Sequence, residues 1–188
     1  MITAIIMASG YSRRMKQNKL LLKIFGKPMV EHVIDIAKKG SLDEILLIYK
    51  DQEVKEIASK NNVNSLYNKY AYLGQSEAIK LGVSNSHEDT EGYMFLTSDQ
   101  PLLTEDILNR LIHKFNQNKD CIIVPLYGDK PGSPCIFPKK FKNQLLSLSG
   151  DTGGRRIIKG NTQHVLYVNI EEHAGHDIDK WEDYIGIF

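Results

Sequence analysis

One feature narrows the folds open to this chain more than any other: short, nearly continuous apolar runs alternate with stretches of helical periodicity. Ile2–Ala8 is the first such run, β-rich and apolar almost throughout. A strand buried on both faces reads this way. Met29, Val30, Val33, Ile34 and Ala37 then recur at helical spacing, and Gly40 is placed to end that helix. The pattern repeats with a strand at Glu44–Tyr49, a short helix at Val54–Lys60, a weaker strand at Val63–Tyr67, a helix at Ser76–Val83 entered through Gly74, and a strand at Tyr93–Thr97. Thr104 is an N-cap candidate, followed by Glu105 and Asp106 in a first turn. Ile107, Leu108, Leu111, Ile112 and Phe115 form one apolar helix face. Strands at Cys121–Pro125, Cys135–Phe137 and His164–Ile170, and helices at Phe141–Leu148, Arg155–Lys159 and Trp181–Tyr184, complete the reading. Such alternation predicts an α/β three-layer sandwich, a mostly parallel sheet with helices on both faces.

The 188 residues contain no linker, repeat or low-complexity stretch, so one domain over 1–188 is expected. A net charge of +1 argues against a general nucleic-acid or membrane-binding face. Cys121 and Cys135 have neither zinc-ligand spacing nor the density of a disulfide framework. Met1 leads into the apolar run with no basic n-region, and no segment has the length of a membrane span. These features point to a reducing cytoplasm.

Open α/β sheets bind ligands beyond the carboxyl ends of their strands. That rule selects the loops after Ala8 and after Thr97. The first reads Ala8-Ser9-Gly10-Tyr11-Ser12-Arg13-Arg14-Met15 and continues to Lys19. Small residues at 8, 9 and 10 let the backbone approach a ligand, and exposed N–H groups in such a turn form an anion nest. Arg14 and Lys19 supply positive charge suited to a polyphosphate; the competing reading is a solvated basic turn. A dinucleotide fingerprint is excluded because only Gly10 is present, and Asp51 after the second strand is weak support for one. A Walker loop is excluded because Gly26-Lys27 is followed by Pro28. The second loop carries Asp99, in Ser98-Asp99-Gln100-Pro101. Alone it reads as a turn former or as a carboxylate able to hold a hard cation. Asp177 and Asp179 share a side if their segment is extended; Asp179 also suits a helix cap. Gly74-Gln75-Ser76 opens a helix, fit for a base edge, a phosphate or plain capping.

Met7–Lys19 resembles the signature LAAGxSxRM…NK-L of the MobA-like nucleotidyltransferases of molybdenum-cofactor synthesis, most of all their cytidylyltransferases. Ser98–Pro101 is similar to the family element GDQP, His176–Asp183 to DIDTPED, Gly132-Ser133-Pro134 to GHP, and Gly150–Arg155 to GDxGAR. Ser9, Ser98, Ser133, Lys180 and Trp181 depart from those patterns. The resemblance implies a Rossmann-like sandwich of the nucleotide-diphospho-sugar transferase type. It implies transfer of CMP from CTP to molybdopterin cofactor with release of pyrophosphate. Arg14, Lys19 and Asp99 would be catalytic, with Mg²⁺ on Asp99 and Asp179. Ala8, Ser9, Gly10, Arg14, Lys19, Gly74, Gln75 and Ser76 would bind nucleotide; Gly132, Asp151, Gly153 and Arg155 would bind the pterin-phosphate acceptor. A molybdoenzyme or its chaperone would be the onward partner. Rival readings are a guanylyltransferase, a cytidylyltransferase for another small phosphate such as an isoprenoid precursor, and a non-catalytic nucleotide-binding module.

Overall fold

The computed structural model describes residues 1–188. Its strands and helices follow in the order β1 (Ile2–Ala8), β2 (Lys23–Ile24), β3 (Lys27–Pro28), α1 (Met29–Lys39), β4 (Glu44–Tyr49), α2 (Gln52–Lys60), β5 (Asn64–Tyr67), α3 (Gln75–Asn85), β6 (Gly92–Thr97), α4 (Glu105–Gln117), β7 (Ile122–Tyr127), β8 (Lys130–Pro131), β9 (Cys135–Pro138), α5 (Lys142–Leu146), α6 (Arg155–Gly160), β10 (Val165–Ile170) and α7 (Trp181–Ile185). The main sheet has the order β10-β7-β9-β6-β1-β4-β5, with β8 added to β7. β6, β1, β4 and β5 pair in parallel, as do β10 and β7. β9 runs antiparallel between β6 and β7, so the parallel strands on either side of it share one direction.

The alternation of side chains along β1 divides the core. Ile2, Ala4, Ile6 and Ala8 pack with the apolar faces of α1, α2 and α4 in one cluster of 27 buried residues. Ile5 points the other way, into a cluster of 14 with residues of α3, α5 and α6. The three-layer α/β sandwich with a mostly parallel sheet is therefore the observed architecture. Thr104 caps α4 as its sequence suggests, accepting a hydrogen bond from the Ile107 N–H at 3.4 Å. Gly40 closes α1 through its N–H to the Ile36 carbonyl.

Two details differ from the periodicity reading. Lys23–Pro28 folds as a hairpin whose two turn residues, Phe25 and Gly26, both have positive φ (47° and 86°). Such a turn suits the twist of a two-residue hairpin, and Phe at φ > 0 gives no sequence signal for it. The helix expected over Phe141–Leu148 is confined to Lys142–Leu146, after a 3₁₀ turn at Lys139–Phe141. No helix is long and apolar enough to cross a membrane.

Candidate active site

The carboxyl ends of β1, β4, β5 and β6 lie on one edge of the sheet, and a cleft of about 410 Å³ opens there. Met7 lines it from the end of β1, and Ser9, Gly10, Tyr11, Ser12 and Arg13 from the loop that follows. Lys19, Asp99, Gly74, Gln75 and Asp151 also line it. Its size is that of a small-molecule or nucleotide pocket. A Cβ built on Gly10 would meet no protein atom within 4 Å, so that position stays open toward the cleft.

Backbone and side-chain bonds shape the loop. Ser12 and Lys16 hold left-handed φ values of 47° and 55°. The Ser12 hydroxyl accepts from the Lys19 N–H at 3.3 Å, folding the loop back on itself. Asn18 caps the 3₁₀ turn Lys19–Leu21 by accepting from the Leu20 N–H at 3.1 Å. Two departures from the family pattern find partners of their own. Ser9 Oγ accepts from Asn68 Nδ2 at 2.9 Å, tying the loop to the end of β5, and Ser98 Oγ donates to the Met7 carbonyl at 2.9 Å.

At the floor, the Lys19 ammonium sits between two carboxylates, 2.7 Å from Asp99 Oδ2 and 2.8 Å from Asp179 Oδ1. Arg14 reaches the other oxygen of Asp179 at 2.7 Å from the exposed rim. The segment carrying Asp179 is pinned twice. The Ile178 N–H donates to the Asp99 carbonyl at 2.9 Å, and the Ile178 side chain is fully buried with Ile24 and Met29. Asp183 Oδ2 accepts from the N–H groups of Asp179 and Lys180, so Asp183 caps α7 and leaves the Asp179 carboxylate to Lys19 and Arg14.

Charge follows this geometry. Burial alone would lower the Lys19 pKa, but the Asp99 charge and the hydrogen bonds to both carboxylates outweigh it and raise it. Desolvation would raise Asp179, yet the Lys19 and Arg14 cations hold it below the usual carboxylate range. At Asp177, desolvation, then the charges of Asp99 and Asp179, outweigh the Gln100 hydrogen bond and the Lys19 charge and push it up to about 6.

Asp99 and Asp179 are thus the two carboxylates able to share one cation. Asp99 Oδ1 is buried without a hydrogen-bond partner, an acceptor that a cation would satisfy. No three His, Cys, Asp or Glu side chains converge as a metal cage. A hard ion held by one or two carboxylates, with phosphate and water completing its shell, fits this donor set.

The residues singled out in the sequence fall into several places, and Asp179 lies beside the cleft, joined to it through Lys19. Ser9, Gly10, Lys19, Gly74, Gln75, Asp99 and Asp151 line the cleft. Ala8 and Ser76 are buried behind it, and Arg14 is on its rim. Gly74 and the Gly150–Asp151 turn touch: the Ser76 N–H donates to the Gly150 carbonyl at 3.2 Å and the Gln75 N–H to Asp151 Oδ1 at 3.3 Å. Gly132, Gly153 and Arg155 do not line the cleft. Gly132 packs against the Tyr127 ring, and the Ser133 hydroxyl donates to the Phe95 carbonyl at 3.3 Å. Tyr11, Tyr72 and Leu73 line the cleft although no motif marks them.

Residues 4–166 match the MobA-like NTP transferase domain. The chain belongs to that family. The bifunctional protein GlmU of Caldanaerobacter subterraneus subsp. tengcongensis is 30% identical over 181 residues, 94% of this chain and 35% of that protein. GlmU of Clostridium acetobutylicum is 35% identical over 136 residues, 69% of this chain and 29% of that protein. The chain spans about a third of the length of the curated relatives it matches. Among solved structures, Rv0371c of Mycobacterium tuberculosis H37Rv superposes with a TM-score of 0.87 at 21% identity, covering 99% of this chain and 96% of its own. The same protein was also solved as a complex with manganese (TM-score 0.83). The structure titled CMP:2-keto-3-deoxy-manno-octonic acid synthetase complexed with CTP has a TM-score of 0.79 at 13% identity, covering 99% and 96% of the two chains. These structural likenesses are likenesses of fold.

Proposed function

We propose that residues 1–188 form one nucleotidyltransferase domain that transfers CMP from CTP to a molybdopterin-type phosphate, with Mg²⁺ as its ion. One observation carries the transfer chemistry: the buried Lys19 ammonium, gripped by Asp99 and Asp179, at the floor of a cleft walled by the Ser9–Arg13 backbone. Family membership, the CTP complex of a protein of the same fold and the manganese complex of another support the reading.

In this reaction a terminal phosphate oxygen of the acceptor attacks the α-phosphorus of the nucleotide. The new O–P bond forms as the bond from the α-phosphorus to the bridging oxygen breaks, and that electron pair leaves with pyrophosphate. The attacking group is already an anion, so the protein needs no nucleophile of its own. The barrier is the meeting of two anions, and positioning and charge neutralisation lower it. Lys19 and Arg14 would balance the β- and γ-phosphates, with the loop N–H groups beside them. Gly74 and Gln75 would meet the base, and Ala8 and Ser76 support these walls from behind. Asp99 and Asp179 would hold the ion, which supplies further positive charge at the phosphates.

A second reading keeps the chemistry and changes the acceptor to another small phosphate. It is favoured by the Ser133 hydroxyl, which turns to the Phe95 carbonyl, and by Gly132 and Arg155, which lie off the cleft. Pyrophosphate release should be measured with each of the four nucleoside triphosphates against molybdopterin, methylerythritol phosphate and other small phosphates, with Mg²⁺ or Mn²⁺. Turnover with CTP and molybdopterin is the expected result. Release from none of the combinations would overturn the assignment of transfer.

A further inference from the structure

Asp51 occupies the N-cap position of α2, with extended backbone angles (φ −99°, ψ 136°), yet its side chain makes no capping hydrogen bond. An Asp at this position ordinarily accepts from an N–H of the first turn. Here the carboxylate turns away from its own helix. Asp51 Oδ2 accepts from Asn18 Nδ2 at 2.9 Å. Lys50 Nζ donates to Oδ1 at 2.8 Å and to Oδ2 at 2.7 Å, and the same ammonium stands 4.8 Å from the centre of the Tyr11 ring.

The two contacts reach opposite ends of the loop after β1. Asn18 immediately precedes Lys19 and caps the turn that carries it. Tyr11 follows Gly10 at the other end. Tyr11 and Lys19 line the cleft, whereas Asn18, Lys50 and Asp51 do not. The carboxylate therefore bears on this cleft through the loop it holds.

We infer that Asp51 is a positioning residue for the nucleotide loop: from the carboxyl end of β4 it fixes the Lys19 end through Asn18 and the Tyr11 end through Lys50. Its effect on turnover rests on the proposed nucleotide site; its effect on the loop does not. Supporting groups of this kind set the geometry of residues that touch the ligand, and small misplacements are costly.

The test compares Asp51→Ala, Asp51→Asn, Asn18→Ala and the Asp51→Ala/Asn18→Ala double variant with the wild-type chain. In ligand-free protein, amide hydrogen exchange across residues 9–19 should accelerate about tenfold in Asp51→Ala. The KM for the nucleoside triphosphate should rise about tenfold, with the acceptor KM unchanged. Asp51→Asn keeps an acceptor for Asn18 and should fall between the two. The double variant should fall short of the sum of the two single effects, because both changes remove the Asp51–Asn18 bond, while Asn18→Ala alone removes the cap on Leu20. Unchanged exchange across 9–19 overturns the inference. So does a lowered melting temperature with an unaltered nucleotide KM, the mark of a purely structural role. If the wild type turns over no triphosphate, the transfer reading fails while the exchange result still decides the role of Asp51.

Discussion

Lys19 concentrates most of the site's electrostatics in one side chain. Its ammonium touches Asp99 and Asp179, and both carboxylates reinforce its charge. Removing a preorganised donor of this kind typically costs about 2.7–4 kcal/mol in the transition state. Lys19→Ala should therefore lower kcat/KM about 10²- to 10³-fold in a pyrophosphate-release assay. Retention of full turnover would remove Lys19 from the mechanism. Cys135 behaves in the opposite sense, as a half-buried residue whose thiol is kept neutral. Desolvation, only partly opposed by Arg155, pushes its thiol up to about 12, and its Sγ donates to the Gly132 carbonyl at 3.0 Å. The thiolate is the reactive form, and the raised pKa keeps the group largely as the unreactive thiol at pH 8. Native protein treated with iodoacetamide at pH 8 should retain an unmodified Cys135 by peptide mass spectrometry, and urea should expose it to alkylation. Rapid labelling of the folded chain would show that the thiol is open to solvent.

Loop packing gives a test at the level of elements. Gly74 enters α3 with φ of +115°, and a Cβ there would overlap the Gly150–Asp151 backbone. The residue must satisfy a left-handed backbone and a close approach together. Gly74→Ala should destabilise the fold by about 2 kcal/mol or more, strain alone contributing about 1–3 kcal/mol. Gly160→Ala is the control: its Cβ meets nothing within 4 Å, and its change should be neutral or stabilise by up to about 1 kcal/mol. Urea titration of both variants separates these outcomes, and equal midpoints would refute the packing argument. The contact between the Gly74 and Gly150 turns also marks where sequence reading ends. β1 and α1 were legible because burial on one or both faces imposes a period on the chain. Asp99 was legible from its place at a strand end, and the Asp177/Asp179 pair from side-chain alternation and the resemblance to a family element. The joining of residue 74 to residue 150 leaves no local trace. Neither does the use of Asp183 to cap α7, which leaves Asp179 for Lys19. Ser9 and Ser98 read as departures from a motif, and only their partners, Asn68 and the Met7 carbonyl, explain how the loops accommodate them. Tyr11 and Tyr72 carried no signal, because an exposed aromatic in a loop has no period.

Across the whole molecule, Lys19 lines the cleft at the carboxyl edge of the parallel strands and ties it, through Asp179, to the segment after β10. While its ammonium bridges Asp99 and Asp179, it occupies one oxygen of each carboxylate and competes with a divalent ion for the pair. Nucleotide phosphates would give the ammonium another partner and free the carboxylates for the ion. On the proposed function, each ligand should therefore favour the other, and linkage makes the coupling reciprocal. Titration calorimetry with Mn²⁺ alone should give weak binding, and prior saturation with CTP should tighten it by about 5- to 150-fold. Mn²⁺ also binds CTP free in solution, so Asp99→Asn is the necessary comparison: it leaves that association intact and removes one of the protein's two carboxylates. The excess coupling should vanish in Asp99→Asn, and thermal melts should agree, with the joint stabilisation by CTP and Mn²⁺ exceeding the sum of the separate shifts in the wild type only. Equal coupling in both proteins would mean that the ion arrives on the nucleotide without using Asp99. The carboxylate pair would then serve only to hold Lys19.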